Sequence, residues 1–225
     1  MILISGEKTK RITRNKMYIK CVPAGAISAN CFVICDKKTK VGAIIDPGAY
    51  DFNVKKAIAD AGIEELKYIL CTHGHFDHIA GIADLKEDYP EAKICIGKED
   101  APMLSDGNLN MAYYFGMPFS PCYADVELSD GDVIKLSDIE ITVACAPGHS
   151  PGGVLFVLKN EKVIFSGDTL FSGSIGRTDL YGGNYSVLMK TLKELKKYPE
   201  DFLVYTGHGE STTIGRELKN NIYLV

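Results

Sequence analysis

The stretch Thr72-His73-Gly74-His75-Phe76-Asp77-His78 decides how this chain is read, because it sets three imidazoles and a carboxylate directly after the apolar run Tyr68-Ile69-Leu70-Cys71. Polar groups at the end of a buried strand lose hydration, which is costly unless a partner replaces the water. A divalent cation is the partner that fits. Imidazole suits zinc and iron while carboxylate suits harder ions, so the mixture points to zinc, iron or manganese rather than to a thiolate finger.

The other histidines sit in the same kind of setting. The chain has five, and the two outside the motif, His149 and His208, each follow an apolar run and a glycine. Four strand-end loops therefore line up: His73 to His78, Gly148-His149 after Val143-Ala144-Cys145, Gly167-Asp168 after Val163-Ile164-Phe165, and Gly207-His208-Gly209 after Leu203-Val204-Tyr205. Glycine lets the backbone turn sharply at a strand end and bring ligands to a common centre. Asp46, in the turn Ile44-Ile45-Asp46-Pro47-Gly48, is a candidate for a carboxylate that orients one of these histidines. A turn carboxylate bonding its own backbone is the equal alternative.

Around these loops the pattern is strand-rich. Met17–Val22, Asn30–Cys35 and Val41–Asp46 read as an antiparallel meander. Asp51–Ala61 has helical spacing, with Phe52, Val54, Ala57, Ile58 and Ala61 as its apolar positions and Gly62 as its stop. Lys67–Cys71 is a strand, Ile79–Glu87 a helix, Lys93–Ile96 a strand and Lys98–Leu104 a short helix. Further strands follow at Val133–Leu136, Ile139–Cys145, Gly153–Leu158, Lys162–Phe165 and Phe202–Tyr205, with helices at Tyr185–Lys197 and Thr213–Lys219. Two halves that each set strands against helices predict an α/β (α+β) chain, residues 1–225 forming one domain: a four-layer αββα sandwich with the site at one edge of its two sheets. Between Ser105 and Asp125 glycines and prolines break regular structure while Tyr113, Tyr114 and Phe115 supply aromatic density. Such a loop is either a substrate rim or a flap packed on the core.

Composition narrows the classes. A net charge of -4 gives no electrostatic case for nucleic acid. No segment approaches the ~20 apolar residues of a membrane span. The seven cysteines are odd in number and form no CxxC pair, which fits a reducing cytoplasm better than a secreted disulfide framework. At the N-terminus the apolar run Met1-Ile2-Leu3-Ile4 is too short for a signal peptide, and the basic residues Lys8, Lys10, Arg11, Arg14 and Lys16 follow it as a solvated surface. Gly148-His149-Ser150-Pro151-Gly152 matches the G-x-S-x-G elbow of serine hydrolases, but Gly153–Leu158 after it reads as a strand where that elbow needs a helix.

THxHxDH, PGHSPGG, SGDTLF and TGHG, in this order over nearly the whole chain, resemble the pattern of the metallo-β-lactamase superfamily. The resemblance implies the αββα fold, with His73, His75 and His149 as ligands of a first metal, Asp77, His78 and His208 as ligands of a second, and Asp168 as a bridge. Two ions about 3.5–4 Å apart can hold a bridging hydroxide and polarise the carbonyl it attacks, so hydrolysis is implied, with Asp77 and Asp168 as its catalytic carboxylates. The implied cofactor is two divalent ions, zinc first, with iron or manganese as alternatives.

The segment Ser166–Leu180 looks most like glyoxalase II, whose members hydrolyse glutathione thioesters; the chain resembles a short form without the C-terminal glutathione-binding helices. A small-molecule thioester is then the expected partner, with no nucleic acid and no membrane. Arg177 is the candidate for binding a substrate carboxylate, or else it pairs with Asp179. The alternatives are a mononuclear-iron persulfide dioxygenase, which would use the residues matching His73, His149 and Asp168, and a hydrolase of another ester, lactone or phosphoester.

Overall fold

In the computed structural model, residues 16–224 are described. The basic residues expected on a surface at positions 8 to 14 lie outside that range. The chain runs β1 (Met17–Ala24), β2 (Ala29–Asp36), β3 (Val41–Ile45), α1 (Phe52–Ala61), β4 (Glu65–Cys71), α2 (Phe76–Ile79), α3 (Ile82–Asp88), β5 (Lys93–Gly97), a 3-10 helix (Lys98–Leu104) and β6 (Val126–Leu128). It continues with β7 (Val133–Leu136), β8 (Ile139–Cys145), β9 (Val154–Leu158), β10 (Val163–Gly167), β11 (Leu170–Phe171), β12 (Ser174–Ile175), α4 (Tyr185–Leu195), β13 (Leu203–Thr206), β14 (Thr212–Thr213) and α5 (Ile214–Asn220).

Two six-stranded sheets result, ordered β1-β2-β3-β4-β5-β6 and β14-β13-β10-β9-β8-β7. The expected meander holds for β1, β2 and β3, which pair antiparallel. From β3 to β6 the pairing is parallel, so the C-terminal ends of β3, β4 and β5 open on the same edge. In the second sheet β8, β10 and β13 run in one direction, since β9 is antiparallel to both β8 and β10 while β13 is parallel to β10. All the ligand-bearing loops of that sheet leave those three C-terminal ends.

Strand alternation divides the apolar residues among three interfaces, as four layers require. Along β9, Phe156 and Leu158 point between the sheets with Phe32, Ile34, Ile45 and Phe165, whereas Leu155 and Val157 face α4. Because both faces are covered, the strand can be apolar throughout. Helix α4 presents Leu188, Leu192 and Leu195 at helical spacing to that outer face, and Asn184 caps its start by accepting from Val187 N at 3.1 Å. On the other side Val54, Ile58, Ile82 and Leu85 cover the outer face of the first sheet. Asp51 caps α1 by accepting from Asn53 N and Val54 N, and Gly62 ends it in the left-handed region at φ 64°.

Two local expectations change. Phe52 is expected on the apolar face but lies 76% exposed, because at about 100° per residue it stands on the side of α1 opposite the buried Val54, Ala57, Ile58 and Ala61. The single helix expected over Ile79–Glu87 is two, α2 and α3, and α2 begins inside the histidine motif. Gly81 separates them: its N–H donates to Pro47 O at 2.8 Å, and a Cβ there would stand 2.4 Å from the Ala49 carbonyl carbon. Among the described residues no helix is long and apolar enough to cross a membrane.

Candidate metal centre

The site begins where β4 ends. Asp46, one strand over, accepts from Thr72 N at 2.7 Å and from Thr72 Oγ1 at 2.6 Å. Its own backbone is left-handed, φ 51°, a conformation that costs a non-glycine residue energy and persists where surrounding contacts impose it. Asp46 Oδ2 also lies 3.1 Å from His78 Nδ1, and Thr72 Oγ1 lies 3.1 Å from His73 Nδ1. The Asp46 side chain thus serves Thr72 and His78 rather than its own turn. With Nδ1–H of each ring donating into this relay, Nε2 of His73 keeps a free lone pair, and Nε2 is the atom that His78 turns toward Asp77 and His208. His149 is fixed in the same way: its Nδ1 lies 2.7 Å from the Arg177 carbonyl oxygen.

Seven side chains from both sheets converge. The ligand atoms of His73, His75 and His149 lie within 4.8 Å of one another, as do those of Asp77, His78 and His208. In the second trio the spacings are 3.1 Å for His208 Nε2 to Asp77 Oδ2, 3.3 Å for His78 Nε2 to Asp77 Oδ2 and 3.3 Å for His78 Nε2 to His208 Nε2. Nitrogen and oxygen donors about 2.0–2.1 Å from a tetrahedral ion stand roughly 3.4 Å apart, so this trio is spaced to surround a cation. Asp168 lies between the trios, its Oδ2 3.6 Å from His149 Nε2 and 3.8 Å from His208 Nε2.

Electrostatics fit the same occupant. Burial, reinforced by the neighbouring histidines, holds His73 well below the usual histidine range. Burial, with His149 next, brings His75 down to about 3. Both rings are therefore neutral, the form a metal requires. Burial also acts to lower His78, but Asp77 and Asp168, with the Asp46 hydrogen bond, overcome it and raise the ring well above its ordinary value. Burial would raise Asp77, yet His78 and His208 hold it below the usual carboxylate range. These carboxylates call for positive charge in their midst. Among the described residues, the buried side-chain nitrogen and oxygen atoms without a hydrogen-bond partner are His73 Nε2, His75 Nε2 and Asp168 Oδ1, all within this cluster. His75 turns Nδ1 toward His149 Nε2 at 2.9 Å, so Nδ1 is its ligand atom, while His73 Nε2 and Asp168 Oδ1 are orphaned acceptors that a pair of divalent ions would satisfy.

A cavity of about 430 Å3 lies over the cluster. Of the residues expected to contact substrate, Phe115 and Arg177 line it, whereas Tyr113 and Tyr114 do not. Tyr113 instead packs over Gly107, where a Cβ would come within 2.6 Å of its ring, and Tyr114 lies edge-on to Phe115. The Arg177 guanidinium forms a forked pair with Asp179, both bonds 2.7 Å, so this pairing occupies it here. Ile27, Met111, Phe171, Ile175 and Leu180 complete an apolar wall to which sequence pattern gave no guide.

Three further polar residues escaped the sequence reading. Thr72 relays between Asp46 and His73. Asp100, fully buried, accepts from Gly74 N, Ser150 Oγ and Gly152 N, although burial pushes its carboxyl up. Asn30 donates from Nδ2 to Thr206 O and Gly209 O, on either side of His208. The partners of Asp100 and Asn30 lie 26 to 179 residues away, so no local motif announces them.

Comparison with known proteins agrees with this geometry. A family description, the metallo-beta-lactamase superfamily, matches residues 24–208. An uncharacterized protein of Aquifex aeolicus is 40% identical over 204 residues, covering 89% of this chain and 94% of its own. The hydroxyacylglutathione hydrolase GloC of Haemophilus influenzae is 34% identical over 211 residues, covering 92% and 98%. Among solved structures, the BLEG-1 B3 metallo-beta-lactamase superposes with a TM-score of 0.86 at 32% identity over 92% of this chain and 100% of that one. TTHA1623 in a di-iron-bound form gives 0.81 at 31% identity over 91% and 100%. With the four motifs at one sheet edge and the αββα layering, these likenesses establish that the chain belongs to the metallo-beta-lactamase superfamily of metal-dependent hydrolases.

Proposed function

We propose that this chain is a thioesterase of the hydroxyacylglutathione hydrolase type, holding one divalent ion on His73, His75 and His149 and a second on Asp77, His78 and His208, with Asp168 shared. The observation that carries the reading is the placement of Asp168 Oδ2 within reach of a histidine from each trio, beneath an open cavity. The Haemophilus relative, matched over nearly its full length, supports the substrate class. Zinc is the ion we assign first, and the di-iron neighbour makes iron the alternative.

When bound, such a pair of ions lowers the pKa of water and polarises a carbonyl. The protein's part is orientation and charge. Asp46 and Thr72 aim His73 and His78, the Arg177 carbonyl aims His149, and Asp77 and Asp168 supply the negative charge that makes two adjacent cations tolerable. Phe115, Phe171 and the other apolar wall residues give a thioester a surface away from bulk water. A thiolate leaves with little acid assistance, which suits a cavity wall whose side chains beyond the metal cluster are mostly apolar.

The test is turnover of S-lactoylglutathione by metal-loaded protein, beside oxygen uptake with glutathione persulfide. Thioester cleavage without oxygen uptake is expected. Oxygen uptake with no thioester cleavage would replace the hydrolase with a dioxygenase.

A further inference from the structure

Each trio draws ligands from both sheets: His73 and His75 follow β4 while His149 follows β8, and Asp77 and His78 lie in α2 while His208 follows β13. The distance between the sheets at this edge therefore sets both ligand spacings. Two buried side chains cross that gap, one beside each trio.

Asp100, in the 3-10 helix after β5, is fully buried and joins the two loops of the first trio. Its Oδ2 accepts from Gly74 N at 3.0 Å, between His73 and His75, and from Ser150 Oγ at 2.7 Å, next to His149. Its Oδ1 accepts from Gly152 N at 2.5 Å. The 3-10 helix and the His149 loop meet so closely that a Cβ on Gly152 would stand 2.3 Å from Asp100 N. Asn30, on β2 and 5% exposed, ties the His208 loop of the second trio to the first sheet. Its backbone N–H donates to Gly207 O at 2.7 Å, and its Nδ2 donates to Thr206 O at 2.9 Å and Gly209 O at 3.0 Å, enclosing His208.

We infer that Asp100 and Asn30 are separate positioning residues for the two metals: Asp100 governs the affinity of the His73/His75/His149 position and Asn30 that of the Asp77/His78/His208 position. The inference rests on reading the trios as metal positions. Neither residue is placed to touch substrate; the bonds of Asp100 end on the His73/His75 and His149 loops, and those of Asn30 end on the His208 loop, which they tie to β2. Removing groups that orient metal ligands weakens binding by about 10- to 100-fold. Here that loss should fall on one ion and spare the other.

Single-position backgrounds separate the effects. In the full chain carrying His149→Ala, zinc binding at the second trio is measured by equilibrium dialysis against a graded chelator; in the chain carrying His208→Ala, binding at the first trio is measured likewise. Asn30→Ala should weaken zinc about 10- to 100-fold in the first background and leave it unchanged in the second. Asp100→Asn should do the reverse. Should either variant lose its fold by far-ultraviolet circular dichroism, Asn30→Ser and Ser150→Ala carry the same readout with smaller shifts. Equal weakening of both positions, or of neither, overturns the assignment of separate roles. Failure of the unsubstituted chain to bind either zinc or iron would instead overturn the metal reading itself.

Discussion

Asp46 Oδ2 stands 3.1 Å from His78 Nδ1, and the same carboxylate takes both the N–H and the hydroxyl of Thr72, whose Oγ1 reaches His73. One buried acid thereby orients a histidine of each trio. Asp46→Asn keeps the shape but replaces an acceptor with a donor facing donors. It should lower metal affinity and kcat/KM by about 10- to 100-fold, whereas Thr72→Val, which breaks only the His73 branch, should cost less. Competition with a metal-sensing dye gives the affinity, and initial rates on S-lactoylglutathione give kcat/KM.

The Arg177–Asp179 fork is exposed, and exposed ion pairs contribute little to stability. Arg177→Ala should leave Tm unchanged. If the guanidinium exchanges Asp179 for a substrate carboxylate, KM for a glutathione thioester rises about tenfold or more while kcat is held, because the His149 contact uses the backbone carbonyl and survives the substitution. An unchanged KM would assign Arg177 to the ion pair alone.

Phe115 lines the cavity and lies 5.6 Å from the Phe76 ring, centroid to centroid. Phe115→Ala removes apolar contact that substrate and transition state would share, so KM should rise several-fold with kcat nearly constant. A fall confined to kcat would place Phe115 in positioning of the reacting groups instead.

Helices α1, α4 and α5, most strands and the polar residues that converge at the sheet edge were legible because each depends on local pattern: apolar runs, helical spacing, a cap, or a glycine beside a histidine. The break between α2 and α3 was not, because it depends on the contact of Gly81 with Pro47 and Ala49. β6 was not, since Val126–Leu128 is three residues long and is a strand only because β5 lies alongside it. Asp100 and Asn30 are single polar residues whose meaning lies in partners from the opposite sheet. Arg177 was singled out for its side chain, yet its carbonyl is what meets His149, and a backbone role leaves no trace in residue type.

Protons and metal compete unequally at the two trios. His78 has a raised pKa in the metal-free chain, so its contribution to stability is full below the ordinary value of 6.5 and is lost as pH rises through the folded-state value. Metal-free protein should therefore lose Tm on going from neutral to alkaline pH. Metal replaces that proton, and the gain in Tm on adding zinc should grow over the same range. His75, held at about 3, needs no deprotonation near neutrality. On acidification the second trio should accordingly release its ion before the first, as followed by metal content per chain. Release in the opposite order would contradict this account of the charges.

The most direct measurement of the central claim is metal content and thioester turnover of the unsubstituted chain beside Asp168→Ala. Two ions per chain with hydrolysis of S-lactoylglutathione, and in the variant both a lowered metal content and no turnover, is the expected result. One ion in both proteins, or full turnover after Asp168→Ala, would contradict a shared carboxylate joining two metal positions.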